Sequence, residues 1–478
     1  MPESTKPAPV LLPQLRDLLL AHRPACRQER VFHRLVALTL TCVCALGRHT
    51  LTQLLVVLGR GQLDWSAAYR LFSTPRLDYA ALTRCFLRQT LAHVDRAAPY
   101  LVAIDGVQVP RASRTMPGTS WLHAPRTPPF RRGIHRAQRF SHLAWLTPPS
   151  AEGYSRAVPL RVTAAFPEKA VRPEGVAATK EWEAGLASLR WLREELEAAE
   201  HADQPVLAVA DGSYSTRHVW AGLPAGVSVL ARCARNRALS TLPGPRSGRG
   251  RPRKYGERAP TPAAWLQQRR GWTTTTLVVR GRDVPATYRA EGPYLVTGAA
   301  AQPLFLLVVK GLDRVARGHR RRREPSFWLV SAVEQAGTWT LPWPAEQLLG
   351  WAWQRWEIEV THRDLKAGFG LGEGQAWSPS GTVVGVQWRA WAWAVLVLAG
   401  YRAWGAGRGP LAPLGRWWGG SGRWSVGQLW QGYRQELWAV RDFRTVWLGT
   451  VGTWTEILDV IRDWSATWDN ATLGARRT

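Results

Sequence analysis

Two short apolar runs constrain the fold of this chain more than any other feature. They read Leu101-Val-Ala-Ile-Asp105-Gly106 and Val206-Leu-Ala-Val-Ala-Asp211-Gly-Ser-Tyr214. A continuous apolar run of this length reads as a buried strand. Asp followed by Gly at its end predicts a carboxylate at the sheet edge, where the chain turns sharply. Two strand-end acids, about a hundred residues apart in the chain, are thus expected near one edge of one sheet.

A third acid comes from a helix. Leu348 to Gly368 lacks Pro, and its apolar residues recur at helical spacing. At about 100° per residue, Arg355, Glu359, His362 and Lys366 share one stripe, and Glu357 points the opposite way. A carboxylate flanked by cations suits a site that holds divalent metal and phosphate together. A surface helix with i,i+4 ion pairs would show the same stripe. Three carboxylates converging from distant parts of the chain are what a two-metal phosphoryl-transfer site requires, because hard cations take oxygen ligands.

At this point the chain resembles a family. Asp105, Asp211 and Glu359 resemble the DDE triad of insertion-sequence transposases with a ribonuclease-H-like core. The end of the triad resembles the IS4-type signature Tyr-x2-Arg-x3-Glu-x6-Lys: Arg355, Glu359 and Lys366 match its spacing, and Ala352 stands in place of the Tyr. Trp351 and Trp353 are the neighbouring aromatics, both out of register. The resemblance covers roughly residues 99 to 405. It implies two Mg²⁺ ions held by the three acids, with Mn²⁺ able to substitute, and phosphate contacts from Arg355 and Lys366. It also implies hairpin intermediates at the element ends.

Composition points to a polyanionic partner. Lys and Arg number 63 against 35 Asp and Glu, a formal charge of +28 with a pI of about 11.2. A ribosome-like or membrane-surface protein can be as basic, but 45% hydrophobic residues and 28 Trp argue for a large folded body. The cations are overwhelmingly Arg, which suits phosphate recognition through forked donors. Five Cys with no CxxC pair read as reduced core residues, expected of a cytoplasmic, nucleoid-associated protein without zinc. The most apolar runs, 35–46 and 390–400, are shorter than the roughly 20 residues a bilayer needs and read as buried helices, so no membrane role is expected.

Taken in order, residues 1–98 predict a helical domain: Leu11–Ala21, Arg30–Leu46, Leu51–Leu58 with Thr50 as N-cap, Ser66–Phe72 and Tyr79–His93. It serves either DNA recognition or packing on the core. Residues 99–232 predict the first part of the core. After the Asp105 strand comes a basic loop, Arg111 to Arg139, that includes Arg131 and Arg132 as a candidate DNA track. Strands Arg139–Thr147 and Ala157–Phe166, helix Glu181–Glu200, the Asp211 strand, a short helix near Ser215–Leu223 and strand Val227–Arg232 follow. Residues 233–342 predict a β-rich insertion with strands Trp272–Arg280, Val284–Tyr288, Tyr294–Val296, Leu304–Val309 and Phe327–Val333. It opens with an Arg/Gly/Pro loop in which Arg249-Gly-Arg251-Pro resembles an AT-hook core, fit for minor-groove or backbone contact. Trp272, Trp328, Trp339 and Trp343 are candidates for base stacking or for core packing. Residues 343–405 predict the second part of the core, with the Glu359 helix, a Gly-rich turn at 368–374 and a buried helix near Thr382–Trp404. Residues 406–478 predict a Trp- and Arg-rich region with helices Val426–Trp438 and Trp454–Trp468.

The resulting expectation is an α/β fold: a ribonuclease-H-like mixed sheet with flanking helices, a β-rich insertion, and helical N- and C-terminal regions. The function expected from the resemblance is a DNA transposase that cleaves transposon ends and joins them to target DNA, working as a homodimer on double-stranded terminal repeats. A ribonuclease-H-like nuclease without integration activity and a domesticated DNA-binding protein without catalysis are the alternatives.

Overall fold

The computed structural model describes residues 9–124, 133–244, 252–311, 313–316, 319–322, 324–374, 376, 378–411 and 422–439, the side chains of 313–316, 319–322, 438 and 439 excepted. Five helices come first: α1 (Leu11–Ala21), α2 (Glu29–Cys44), α3 (Leu51–Val57), α4 (Ser66–Ser73) and α5 (Tyr79–Leu91). Their starts follow local chemistry. The Thr50 side chain accepts the Gln53 amide at 3.2 Å and caps α3, and Asp78 accepts the Ala81 amide at 2.9 Å and caps α5.

Then come β1 (Tyr100–Pro110), β2 (Thr119–His123), β3 (Ile134–Leu146), β4 (Ala157–Ala164), α6 (Glu181–Ala198), β5 (Val206–Ala210), α7 (Arg217–Ala221) and β6 (Val227–Arg232). In space the order runs β4-β3-β1-β5-β6, with β3 antiparallel to its neighbours and β1, β5 and β6 mutually parallel. This is a ribonuclease-H-like sheet. Next in the chain are β7 (Ser240–Thr241), α8 (Pro262–Trp265), β8 (Thr273–Val278), β9 (Asp283–Val296), β10 (Ala299–Val309), the hairpin of β11 (Asp313–Ala316) and β12 (His319–Arg322), β13 (Ser326–Ser331), and the small hairpin of β14 (Val333–Gln335) and β15 (Thr338–Thr340). Strand β13 pairs with β6, and β10, β9, β8 and β7 follow outward, so these strands extend the same sheet to eleven. The chain continues with α9 (Ala345–Gln354), α10 (Trp356–Gly368), α11 (Gly381–Trp404) and α12 (Val426–Ala439).

Both faces of the central strands are covered. Tyr100, Val102 and Ile104 of β1, with Val206, Ala208 and Ala210 of β5, enter a core shared with α1, α2, α5, α6 and α11. Leu101 and Ala103, with Leu207 and Val209, face Leu348, Leu349, Ala352 and Ile358 of α9 and α10. The apolar runs are continuous because each has two buried faces. Helix α11 is long and apolar enough to cross a membrane by length and composition, yet 83% of its apolar window is buried inside the molecule, where it packs on α1 and β4.

Four expectations need correction. Strand β1 does not end at Asp105 but runs on to Pro110, so Gly106 is no turn residue. The stretch 111–139 is not all loop: it holds β2 and the first part of β3. The two strands expected at 284–288 and 294–296 are one strand, β9, whose register with β10 shifts where Glu291-Gly292-Pro293 looked like a break. The helix expected over 348–368 is interrupted at Arg355, which separates α9 from α10. Residues 125–132, with Arg131 and Arg132, residues 245–251, with Arg249 and Arg251, and the helix expected at 454–468 lie outside the described residues.

Candidate active site

Side chains along a strand alternate between faces, so the parity of the two runs decides where their acids point. Asp105 follows Leu101 and Ala103, and Asp211 follows Leu207 and Val209, all four on the α9/α10 side. Strands β1 and β5 are parallel and in register from Tyr100↔Val206 to Ile104↔Ala210. The next step along both strands sets Asp105 beside Asp211. His142 of β3 is the direct antiparallel partner of Asp105, and its parity matches Ala144 and Leu146 of the same face.

Helix α10 crosses this face and carries the third acid. The Arg355 guanidinium lies between the carboxylates, 2.5 Å from Glu359 Oε1 and 3.6 Å from Asp105 Oδ2. One helical turn on from Ile358, His362 is buried with Nδ1 4.0 Å from Asp105 Oδ2 and Nε2 2.8 Å from His142 Nδ1. The two imidazoles stack at 5.0 Å. Burial holds both well below the ordinary histidine range, so they form a neutral pair with one ring donating to the other. Lys366 follows one turn later on the same helix.

Burial and the negative charge of Asp211 push the Asp105 carboxyl up to about 7, against the opposing pull of Arg355 and the Gly106 amide; Glu359 adds to the rise. Asp211 is anchored differently. It starts the single turn Gly212–Tyr214 and accepts the Ser213 amide at 2.8 Å.

A fourth carboxylate, missed in the sequence, completes the cluster. Glu181, at the first turn of α6, pairs with Arg139 at 2.6 Å. The Ser213 hydroxyl stands 2.6 Å from Asp211 Oδ1 and 2.9 Å from Glu181 Oε1, so its single proton serves two carboxylates. Burial raises the Glu181 carboxyl above its usual range, with Asp211 adding to the rise. A Cβ on Gly106 would stand 2.2 Å from Glu181 Oε2. The Asp-Gly dipeptide is therefore explained by this close approach rather than by a turn. Glycine inside a strand that otherwise continues was the available signal.

Glu357 is not on an open face. It is 4% exposed and paired with Arg280 of the β8–β9 connection and Arg423 near α12. The opposite side of α10 packs against the protein, which helical spacing alone does not reveal. Ala352 is buried, Trp351 packs edge-on against Trp343, and Trp353 lines a small cavity beside Glu357. The exposed aromatic next to Arg355 is Trp356, at 51%. Among the stacking candidates, Trp328 is buried, and Trp272 has its ring taken by Lys310 at 4.1 Å.

The donor set is chemically suited to a hard divalent cation: acid oxygens only, on a buried carboxyl that a neighbouring positive charge would relieve. With the Arg355 guanidinium between Asp105 and Glu359, no three His, Cys, Asp or Glu side chains among the described residues are grouped closely enough to hold a metal ion as placed.

Residues 25–284 match the family of DDE superfamily endonucleases, which includes both strand acids and Glu181; Glu359 lies beyond the match. No curated protein matches the chain. Endonucleases of this superfamily act on DNA with divalent metal ions. The match spans more than half the sequence and accompanies a ribonuclease-H-like sheet with its acids side by side, and the chain belongs to the DDE superfamily endonuclease family.

Proposed function

We propose that this endonuclease is a DNA transposase of the IS4 type, with Asp105, Asp211 and Glu359 as its catalytic acids. The observation that carries the reading is the Arg355 bridge: it ties the helix acid to a strand acid that register sets beside the other. Two Mg²⁺ ions, with Mn²⁺ as substitute, would be held by the three acids and would activate an attacking water or 3′-hydroxyl while neutralising the leaving oxygen.

The chain's own residues prepare that site. Arg355 balances charge between the acids before DNA arrives, and together with Lys366 it is placed to turn toward phosphate oxygens. Glu181 and Ser213 fix the orientation of Asp211 as outer-shell partners do for ligands. The neutral His142–His362 pair backs Asp105 without adding charge. Trp356 is the exposed aromatic beside Arg355, placed to contact DNA where Ala352 stands in the Tyr position. The basic stretches with Arg131, Arg132, Arg249 and Arg251 supply the DNA track, and a homodimer brings two DNA ends together.

The test is strand transfer. The full chain is incubated with Mg²⁺, a duplex copied from the DNA flanking its own coding sequence, and a supercoiled target plasmid. Joined products with 3′ ends covalently linked to the plasmid support a transposase. Cutting without joining would leave a nuclease and overturn the transposition reading.

A further inference from the structure

A cavity of about 580 Å³, lined by none of Asp105, Asp211 and Glu359, lies between α3 and α4 on one side and the start of α11 and residues 372–374 on the other. That volume lies in the range of small-molecule sites. Arg111, just past the end of β1, forms part of its wall. It is six residues beyond Asp105, about 20 Å along an extended chain, or about six base steps of a duplex.

The wall is cationic on one side. Arg111 donates through Nε to Gln138 Oε1 and through Nη1 to the carbonyls of Gly372 and Gly374. Its Nη2 makes no bond among the described residues. Buried Arg389 donates to the carbonyls of Phe369 and His49. Arg48 adds a third guanidinium, and Glu373 is the acid on the wall. Three cations share the wall with one carboxylate, and the guanidinium groups of half-buried Arg111 and buried Arg389 have only neutral acceptors among the described residues. On the other side stand Tyr69 and Phe72, with the edge of Trp388 packed against Phe72 at 5.2 Å. Tyr69 is held at the rim by its hydroxyl contact with Thr52 Oγ1 at 2.8 Å. The space is kept open by Gly385 of α11, where an added Cβ would meet nothing within 4 Å.

We infer that this cavity is a nucleotide subsite, with phosphate held by Arg48 and Arg111 and the base lying against Tyr69 and Phe72. Forked guanidinium groups suit phosphate oxygens, and aromatic faces accept any base. The nucleotide comes either from a strand of bound DNA or from free mononucleotide. The DNA source rests on the reading of this chain as a DNA-processing enzyme, whereas the binding measurements below require no cleavage, so a failure of catalysis and a failure of the subsite are separately visible.

The key variant is Gly385→Leu, which fills the cavity from a helix position with room for a side chain. Titration calorimetry on the full chain uses dTMP and inorganic phosphate as probes. A second arm follows the fluorescence of 2-aminopurine placed at successive positions of a duplex end, where a rise reports unstacking. The expected result is dTMP binding at least tenfold tighter than phosphate, weakened at least tenfold by Gly385→Leu and by Arg111→Gln, with the melting temperature of Gly385→Leu unchanged. A 2-aminopurine rise lost in Gly385→Leu assigns the nucleotide to bound DNA; dTMP binding without such a rise assigns it to free nucleotide. If neither probe responds to Gly385→Leu, or phosphate binds as tightly as dTMP, the subsite is wrong.

Discussion

Asp105 carries a cost that the fold accepts for the sake of the site. Its carboxyl sits at about 7 in the folded chain against 3.8 for an ordinary Asp. A raised folded value means that its contribution to stability is fully present below pH 3.8 and is lost as pH rises toward 7. In EDTA, Asp105→Asn should therefore be more stable than wild type near pH 7.5, on the order of 2 kcal/mol, with the difference vanishing toward pH 4; denaturant unfolding across that range measures it. Glu357 supports the fold through its ion pairs. Its removal strands Arg280 and Arg423, so Glu357→Ala should destabilise by roughly 3 kcal/mol, visible as a lower denaturant midpoint. Helical spacing sets Glu357 opposite Glu359, as the structure has it, but spacing does not say what covers that face. The shared face of Arg355, Glu359 and His362 was legible from spacing, but that the face meets Asp105 is seen only in the fold.

The elements were legible where one physical rule dominated. Helices α1 to α5 announced themselves by apolar period and, for α3, by the cap at Thr50. The first half of β1 and all of β5 did so by unbroken apolar runs. What failed was local punctuation overridden by tertiary contact. Gly106 looked like a turn and is a gap for the Glu181 carboxylate, a contact between residues 75 positions apart that no local pattern contains. Gly292 and Pro293 looked like a strand break and are absorbed by a register shift in β9. The break at Arg355 falls at the residue drawn across to Asp105 and Glu359. The Gly106 explanation has its own test. Gly106→Ala should displace the flexible end of Glu181 without unfolding the sheet, and should slow DNA cleavage about 10- to 100-fold, the range of a lost outer-shell partner. Glu181→Ala should match it, and the double variant should be no slower than either. Additive losses in this double-mutant cycle would show that the two residues act apart.

At the scale of the whole molecule, an eleven-stranded sheet sets the two strand acids on one face, in a chain whose net charge is +28. That charge should make DNA affinity depend steeply on salt: for six or more phosphate contacts, about a thousand-fold loss or more between 50 and 200 mM salt, read by fluorescence anisotropy of a labelled duplex. A flat response would mean that the arginines serve the protein rather than DNA. In the proposed centre a helix acid beyond the family match joins two strand acids. The most direct measurement is the single-turnover rate of Mg²⁺-dependent cleavage by Glu359→Gln, on a duplex that the wild-type chain cuts, with DNA affinity measured in parallel. With Glu359 as the third acid, the rate falls by about a thousand-fold or more, the scale of losing one charge-stabilising group from such a centre, with binding retained. Cleavage by Glu359→Gln at or near the wild-type rate would contradict that role.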